Sequence, residues 1–187
     1  STIYTTGGST NFISGSTLDI SIPTFNVAEG TDDVDLQVSN FIQRGGITKS
    51  GAGKLLLTNN NAFNVGATHY TITINAGALE IGATGRLVSG SYAGNINNQG
   101  TFIYSGNNAQ TLSGVIFASG ALTQNAASTL TLAGNNTYTG TTTINAGTLA
   151  IGAAGSLGAG SYAQNITNNG TLIFSGTNAQ TLSGIIS

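Results

Sequence analysis

The sequence predicts an all-β fold, a parallel β-helix (β-solenoid) of about eight coils of about 22 residues, and three observations point to it. The phrase INAGALEIG at residues 74–82 returns as INAGTLAIG at 144–152, 70 positions on. Residues 89–116 align with 159–186 at the same offset, with 20 of 28 positions identical. Short apolar/polar alternations such as Ala78-Leu79-Glu80-Ile81 and Thr129-Leu130-Thr131-Leu132 sit between Gly and Asn clusters, which is how half-buried strands are written.

A shorter unit runs inside the long repeat: an apolar residue, a small polar corner, then an alternating run. Its anchors in chain order are Ile3, Phe25, Ile47, Ile74, Ile96, Leu122, Ile144 and Ile166, at successive spacings of 22, 22, 27, 22, 26, 22 and 22. The chain reads as one solenoid over residues 1–187: divergent N-terminal coils at 1–38, then two copies of a 70–75-residue repeat at 39–113 and 114–187. The first strand lies in STIYTT, and the second coil carries the acidic turn EGTDDVD at 29–35. GGITKSGAGKLLLTNNNAF at 45–63 resembles GALTQNAASTLTLAGNNTY at 120–138, offset by 75 because GATHYTIT inserts about five residues. The later corners read INAGALEI, INNQGTFI, LTQNAASTLTL, INAGTLAI and ITNNGTLI.

Helix is disfavoured throughout. The 28 glycines each cost about 0.8–1.0 kcal/mol relative to Ala inside a helix, and β-branched Thr and Ile add to the penalty. A unit of this length cannot enclose its own core, so coils must stack at about 4.8 Å, giving a rod of roughly 38 Å. Stacking like upon like explains the composition. Inward columns of Ile, Leu, Val and Phe bury apolar area, whereas outward columns of identical charges would repel along the whole axis. Only 5% of residues are charged, and none of the 101 after Arg86 is Asp, Glu, Lys, Arg or His. The 28 Thr, 21 Asn and 18 Ser supply neutral polarity instead. Asn75 and Asn145 are placed to stack amide on amide at the corners, and Gly77 and Gly147 to take backbone angles closed to other residues.

Composition also excludes. Four Lys and Arg cannot form the footprint that neutralises nucleic-acid phosphates. Without cysteine there is neither a disulfide framework nor a thiolate metal site. No apolar run is long enough to insert into a membrane, and nothing calls for a cofactor. A chain that starts at Ser1 and lacks Met suits a mature secreted product or an excised fragment.

At GAGKLLLTNNNAFNV (51–65), AASTLTLAGNNTYTG (126–140) and the two INAG phrases, the chain resembles the passenger-associated transport repeat of bacterial autotransporters. The resemblance covers roughly residues 40–187. It implies a right-handed parallel β-helix, exported to the bacterial cell surface or secreted, and used as a stalk, adhesin or surface scaffold, with no catalytic residues to carry over.

Candidate sites are few. Glu29, Asp32, Asp33 and Asp35 offer oxygen ligands of the kind calcium takes, in a spacing unlike an EF-hand; a solvated turn is the competing reading. Asp33 and Asp35 would share a strand face as paired carboxylates for glycan cleavage, with Arg44 the cation in that coil. His69 and Tyr70 sit in the insertion, which reads as a projecting loop that could touch a ligand. Thr141, Thr142 and Thr143 suggest a threonine array, but Asn95, Ala121 and Asn165 at the equivalent places predict no repeating threonine face. The pairs Tyr92/Tyr162 and Tyr104/Phe174 recur at the repeat spacing and read as packing rather than a sugar platform. Neither STIYTT nor SGIIS reads as a polar cap, so the terminal strands could join chains end to end. These features predict a structural or adhesive extracellular β-solenoid without catalysis, contacting glycans or a host or cell surface. A carbohydrate-active or carbohydrate-binding β-helix is the alternative.

Overall fold

The alternating runs become short parallel strands that climb in register, coil upon coil. In a computed structural model that describes residues 1–19, 22–43, 45–65 and 68–187, the chain is an all-β solenoid of about eight coils of about 23 residues, without an α-helix among the described residues. Each coil has three faces. The first face is a six-stranded sheet built from Thr2–Tyr4, Thr24–Asn26, Thr48–Ser50, Ile72–Ile74, Ile96–Asn98 and Ile116–Phe117. The second is an eight-stranded sheet running from Asn11–Ile13 through Lys54–Leu57, Ala78–Ala83 and Thr101–Gly106 to Thr142–Ile144 and Ile166–Asn168. The third is broken into shorter ladders, the longest being Ser91–Tyr92, Gln110–Leu112, Thr129–Leu132, Thr148–Ile151 and Thr171–Phe174.

Period-two alternation places the core as expected. On the second face Leu36, Leu55, Leu79, Phe102, Leu122, Thr142 and Ile166 form one inward column, and Val38, Leu57, Ile81, Tyr104, Gln124 and Ile144 the next. Tyr92 and Tyr162 are buried in the core. Tyr104 is buried too, while its counterpart Phe174, in the last coil, is 42% exposed. Among the described residues every ladder is parallel except the hairpin Asn64–Val65/Thr68–His69, which accommodates the inserted residues.

The stacking differs from the expectation of like upon like. The eight anchors do not share a column: Ile3 and Phe25 lie under Lys49, Ile74 and Asn98, whereas Ile96 pairs with Ile72 and Ile116. Leu122, Ile144 and Ile166 belong to the second face altogether. The physical reason is that coil length varies. Ile72 pairs with Ile96 but Ile96 with Ile116, so the later coil closes four positions sooner. Asn136, as far again along the chain, reaches the first face beside Ile116, and Thr142, the repeat equivalent of Ile72, has already turned onto the second. One repeat copy therefore spans three coils and one further face.

Local structure nevertheless repeats faithfully. The backbone of Leu87 is clamped by Gln110, N–H to Oε1 at 2.9 Å and Nε2–H to O at 3.2 Å, on the third face. Leu157 is clamped by Gln180 in the same way, at 2.7 and 3.0 Å, on the first face. At the corner between first and second faces Gly53, Gly77, Gly100, Gly120 and Gly140 form a ladder. A Cβ on each of the last four would lie 2.2–2.4 Å from the carbonyl oxygen of the glycine below. Gly77 and Gly147 adopt φ of +64° and +67°, as their corners require.

Candidate functional site

The acidic turn folds against the base of the rod, where Glu29, Asp32, Asp33 and Asp35 line a shallow cleft with Lys54. Asp32, Asp33, Asp35 and Lys54 are committed to the scaffold. Asp35 is only 2% exposed; its two oxygens accept the amides of Gly30 (2.6 Å) and Lys54 (2.7 Å), fixing turn to strand. Asp32 accepts the amide of Thr10 at 2.8 Å. Asp33 takes the Lys54 ammonium at 2.9 Å, and Glu80 lies 3.4 Å from the same ammonium. Burial lowers the Lys54 pKa, but hydrogen bonds and charge from Asp33 and Glu80 outweigh it and leave the pKa raised.

This settles where the paired carboxylates stand. Asp33 and Asp35 do not share a strand face: the Asp33 side chain is 89% exposed and Asp35 is buried, because residues 31–35 form a bent turn rather than a strand. Arg44 lies outside the described residues. Among the described residues no three His, Cys, Asp or Glu are grouped to hold a metal ion. The His69 ring packs edge-on against Tyr92, centroids 6.3 Å apart, and the Tyr92 hydroxyl donates to the Tyr70 carbonyl. The insertion is thus folded back on the rod at both residues, whereas a projecting loop was expected.

Short threonine ladders form among the outward columns, without making a repeating threonine face. Thr2, Thr24, Thr48 and Thr73 are successive partners on the first face, and Thr123, Thr143 and Thr167 on the second. Register, not repeat equivalence, brings them together, and Asn97 and Ile103 interrupt the next positions. At the corners Asn145 donates to the Asn125 amide oxygen at 2.9 Å, the expected amide stack, while Asn75 donates to the Ser50 hydroxyl at 3.1 Å.

The interior holds polar groups that sequence reasoning missed. Lys49 is fully buried between Phe25 and Ile74, its ammonium donating to the carbonyls of Ser50 (2.9 Å), Gly51 (2.8 Å) and Ala76 (3.1 Å). Burial pulls its pKa down to about 8, against the opposing pull of Asp35 and Glu29. Asn61 and Asn136 each accept one coil's amide at 2.9 Å, from Ile42 and Ile116, and Gln124 holds the carbonyls of Ala126 and Ser128, both at 2.8 Å. Thr142 links the hydroxyls of Tyr138 (2.7 Å) and Tyr162 (2.8 Å). These groups satisfy backbone at bends where the ladder cannot. Nothing in the sequence marks them, because which positions of a run point inward follows from the register of the coils.

Among the described residues no helix is long and apolar enough to cross a membrane. Residues 47–81 and 122–151 match the model of the passenger-associated-transport-repeat, over the two segments whose wording recurs. No curated protein and no solved structure matches the chain.

Proposed function

From a chain that carries two passenger-associated transport repeats and folds as a β-solenoid, features that fit an autotransporter passenger protein, we propose an extracellular stalk or passenger segment with a structural and adhesive role. It works by rigidity and by a repeated, uncharged surface, secreted or held at the bacterial cell surface, where it meets glycans or another cell. The observation that carries this reading is the pair of repeats wound into one continuous ladder, with Asp33, Asp35 and Lys54 of the acidic cleft tying one coil to the next. Such a molecule transmits force and spacing; it performs no turnover.

Both ends of the ladder leave apolar groups open: Tyr4 (70% exposed) and Phe12 (68%) at one edge, Ile185 (68%) and Ile186 (51%) at the other. A further parallel strand fits each edge, from more coils of the same polypeptide or from a second chain joined end to end. The test of the surface role is protease accessibility on intact producing cells, probed with an antibody to this segment. Loss of the antigen on mild external proteolysis is expected, and full protection until the cells are lysed would contradict it. Sedimentation across a concentration series separates end-to-end association, which raises the mass, from a stalk that stays monomeric.

A further inference from the structure

Three asparagines stand two residues before a threonine: Asn135-Asn136-Thr137, Asn165-Ile166-Thr167 and Asn169-Gly170-Thr171. That spacing is the acceptor motif for a sugar linked to the asparagine amide. In extended chain, residues i and i+2 point to one side, so the coil turns the Asn and Thr of a motif outward together and its middle residue inward. All three asparagines and all three threonines are exposed, whereas Asn136 and Ile166 are buried. The amide contacts also leave the reacting atom open. Asn135 accepts the Ser156 hydroxyl and Asn165 accepts the Ile185 amide at 3.0 Å, in both cases through Oδ1 and not Nδ2. Elsewhere Nδ2 is used by the scaffold: those of Asn61, Asn98, Asn136 and Asn178 donate to backbone carbonyls, where a substituent would crowd the bond. Asn169 lies in the bend just before the strand Thr171–Phe174.

We propose that Asn135, Asn165 and Asn169 are N-glycosylation sites. The step is carried out by a separate glycosyltransferase on a sugar activated at C1 as a nucleotide or lipid diphosphate. A bond forms between Nδ2 and C1 as the C1–oxygen bond breaks; the diphosphate leaves with the electron pair, and the amide proton passes to a base of the transferase. The placement has a physical reason. Every Asp, Glu, Lys, Arg and His lies at or before Arg86, and all three motifs fall in the uncharged stretch that follows. The counterparts in the first copy, Asn60-Asn61-Ala62, Asn95-Ile96-Asn97 and Gln99-Gly100-Thr101, each miss the motif by one residue. Net charge ordinarily keeps like molecules apart in solution, and a bulky, hydrated, neutral sugar does the same by steric exclusion where charge is lacking. The proposal goes beyond the structural and adhesive reading, because such a coat is independent of what the stalk touches.

Peptide mass spectrometry on the protein isolated from its producing cells tests this. No Lys or Arg follows Arg86, so the region is cut with chymotrypsin, giving peptides 133–138 and 163–172. These should carry one and two sugar increments, each located on asparagine. Thr137→Ala, Thr167→Ala and Thr171→Ala should each remove one increment while the circular dichroism of the β-solenoid is kept. Asn97→Thr should add one at Asn95, whose Oδ1 takes the Val115 amide at 2.9 Å just as that of Asn165 takes Ile185. Unmodified asparagine in both peptides would overturn the inference, and so would an increment carried on threonine or one that survives the Thr→Ala variants. A chain that external protease reaches but that bears no sugar would keep the surface reading and lose this one.

Discussion

Lys49 shows what one residue contributes in a chain this poor in charge. Its ammonium closes three carbonyls inside the core, and desolvation holds its pKa at about 8 against the ordinary 10.5. Between about pH 8 and 10.5 the unfolded chain keeps a proton that the folded chain has released, so stability rises with pH across that window. Burial raises the pKa of Tyr92, Tyr104, Tyr138 and Tyr162, so above pH 10 the unfolded chain ionises first and stability rises no further with Lys49 alone deciding it. The sign for these tyrosines is that the folded state holds protons the unfolded state has lost, and stability therefore falls. Thermal melts from pH 7 to 11 should pass through a maximum near pH 10, and Lys49→Met should abolish the rising limb while keeping the falling one. A second expectation concerns the amide clamps. Gln110→Ala strands the Leu87 amide and carbonyl in the core and should cost about 1–3 kcal/mol in denaturant unfolding. Gln180→Ala should cost clearly less, because Gln180 is only half-buried. None of these inward polar groups was legible beforehand. An Asn or Lys in an alternating run reads as solvent-facing until the corner it serves is known, and the same is true of Asp35, which the sequence offered as a ligand or catalyst and the fold uses as a clamp.

At the scale of strands and corners, the pattern was readable where periodicity and glycine chemistry acted together. The strands at Ala78–Ala83, Thr129–Leu132 and Thr148–Ile151 fall where apolar and polar residues alternate. Their bends fall at Gly77 and Gly147, whose positive φ and close approach to neighbouring carbonyls exclude a side chain. The glycine ladder makes this quantitative. Gly120→Ala drives a Cβ to 2.4 Å from the Gly100 carbonyl oxygen, fixed by the ladder, and 2.5 Å from the side-chain amide of buried Asn98, held by its bond to the Ala121 carbonyl, and should destabilise by about 2 kcal/mol or more. Gly176→Ala, whose nearest contacts are the Ala153 and Gly155 carbonyls at 3.2 Å in the last coil, should cost clearly less in the same unfolding assay. Which strand lies above which was not readable, because long and short coils follow one another without a marker in the sequence: Asn11 pairs with Leu36, but Leu36 pairs with Leu55.

For the whole molecule, the repeat of wording and the repeat of structure are different lengths, and the surface follows from that difference. Each face is assembled from unlike segments, so threonine ladders run three or four coils and then give way to Asn97 or Ile103. No face is a uniform flat sheet on which identical rods would stack side by side. The scarcity of charge is consistent with the same design. At Asp33, Lys54 and Glu80 opposite signs are stacked together. All of this depends on coils that close sooner than the anchor spacing suggests, so that Thr123 meets Thr143 and not Asn145. Disulfide capture between paired cysteines measures that directly. Thr123 and Thr143 are register partners on the second face, so T123C/T143C should oxidise to an intramolecular bond, while T123C/N145C, set at the spacing of the anchors, should stay reduced because diagonal Cα separations exceed the roughly 7 Å a disulfide spans. Cross-linking of T123C/N145C in preference to T123C/T143C, or of neither, would contradict the coil register on which the fold and its surface rest.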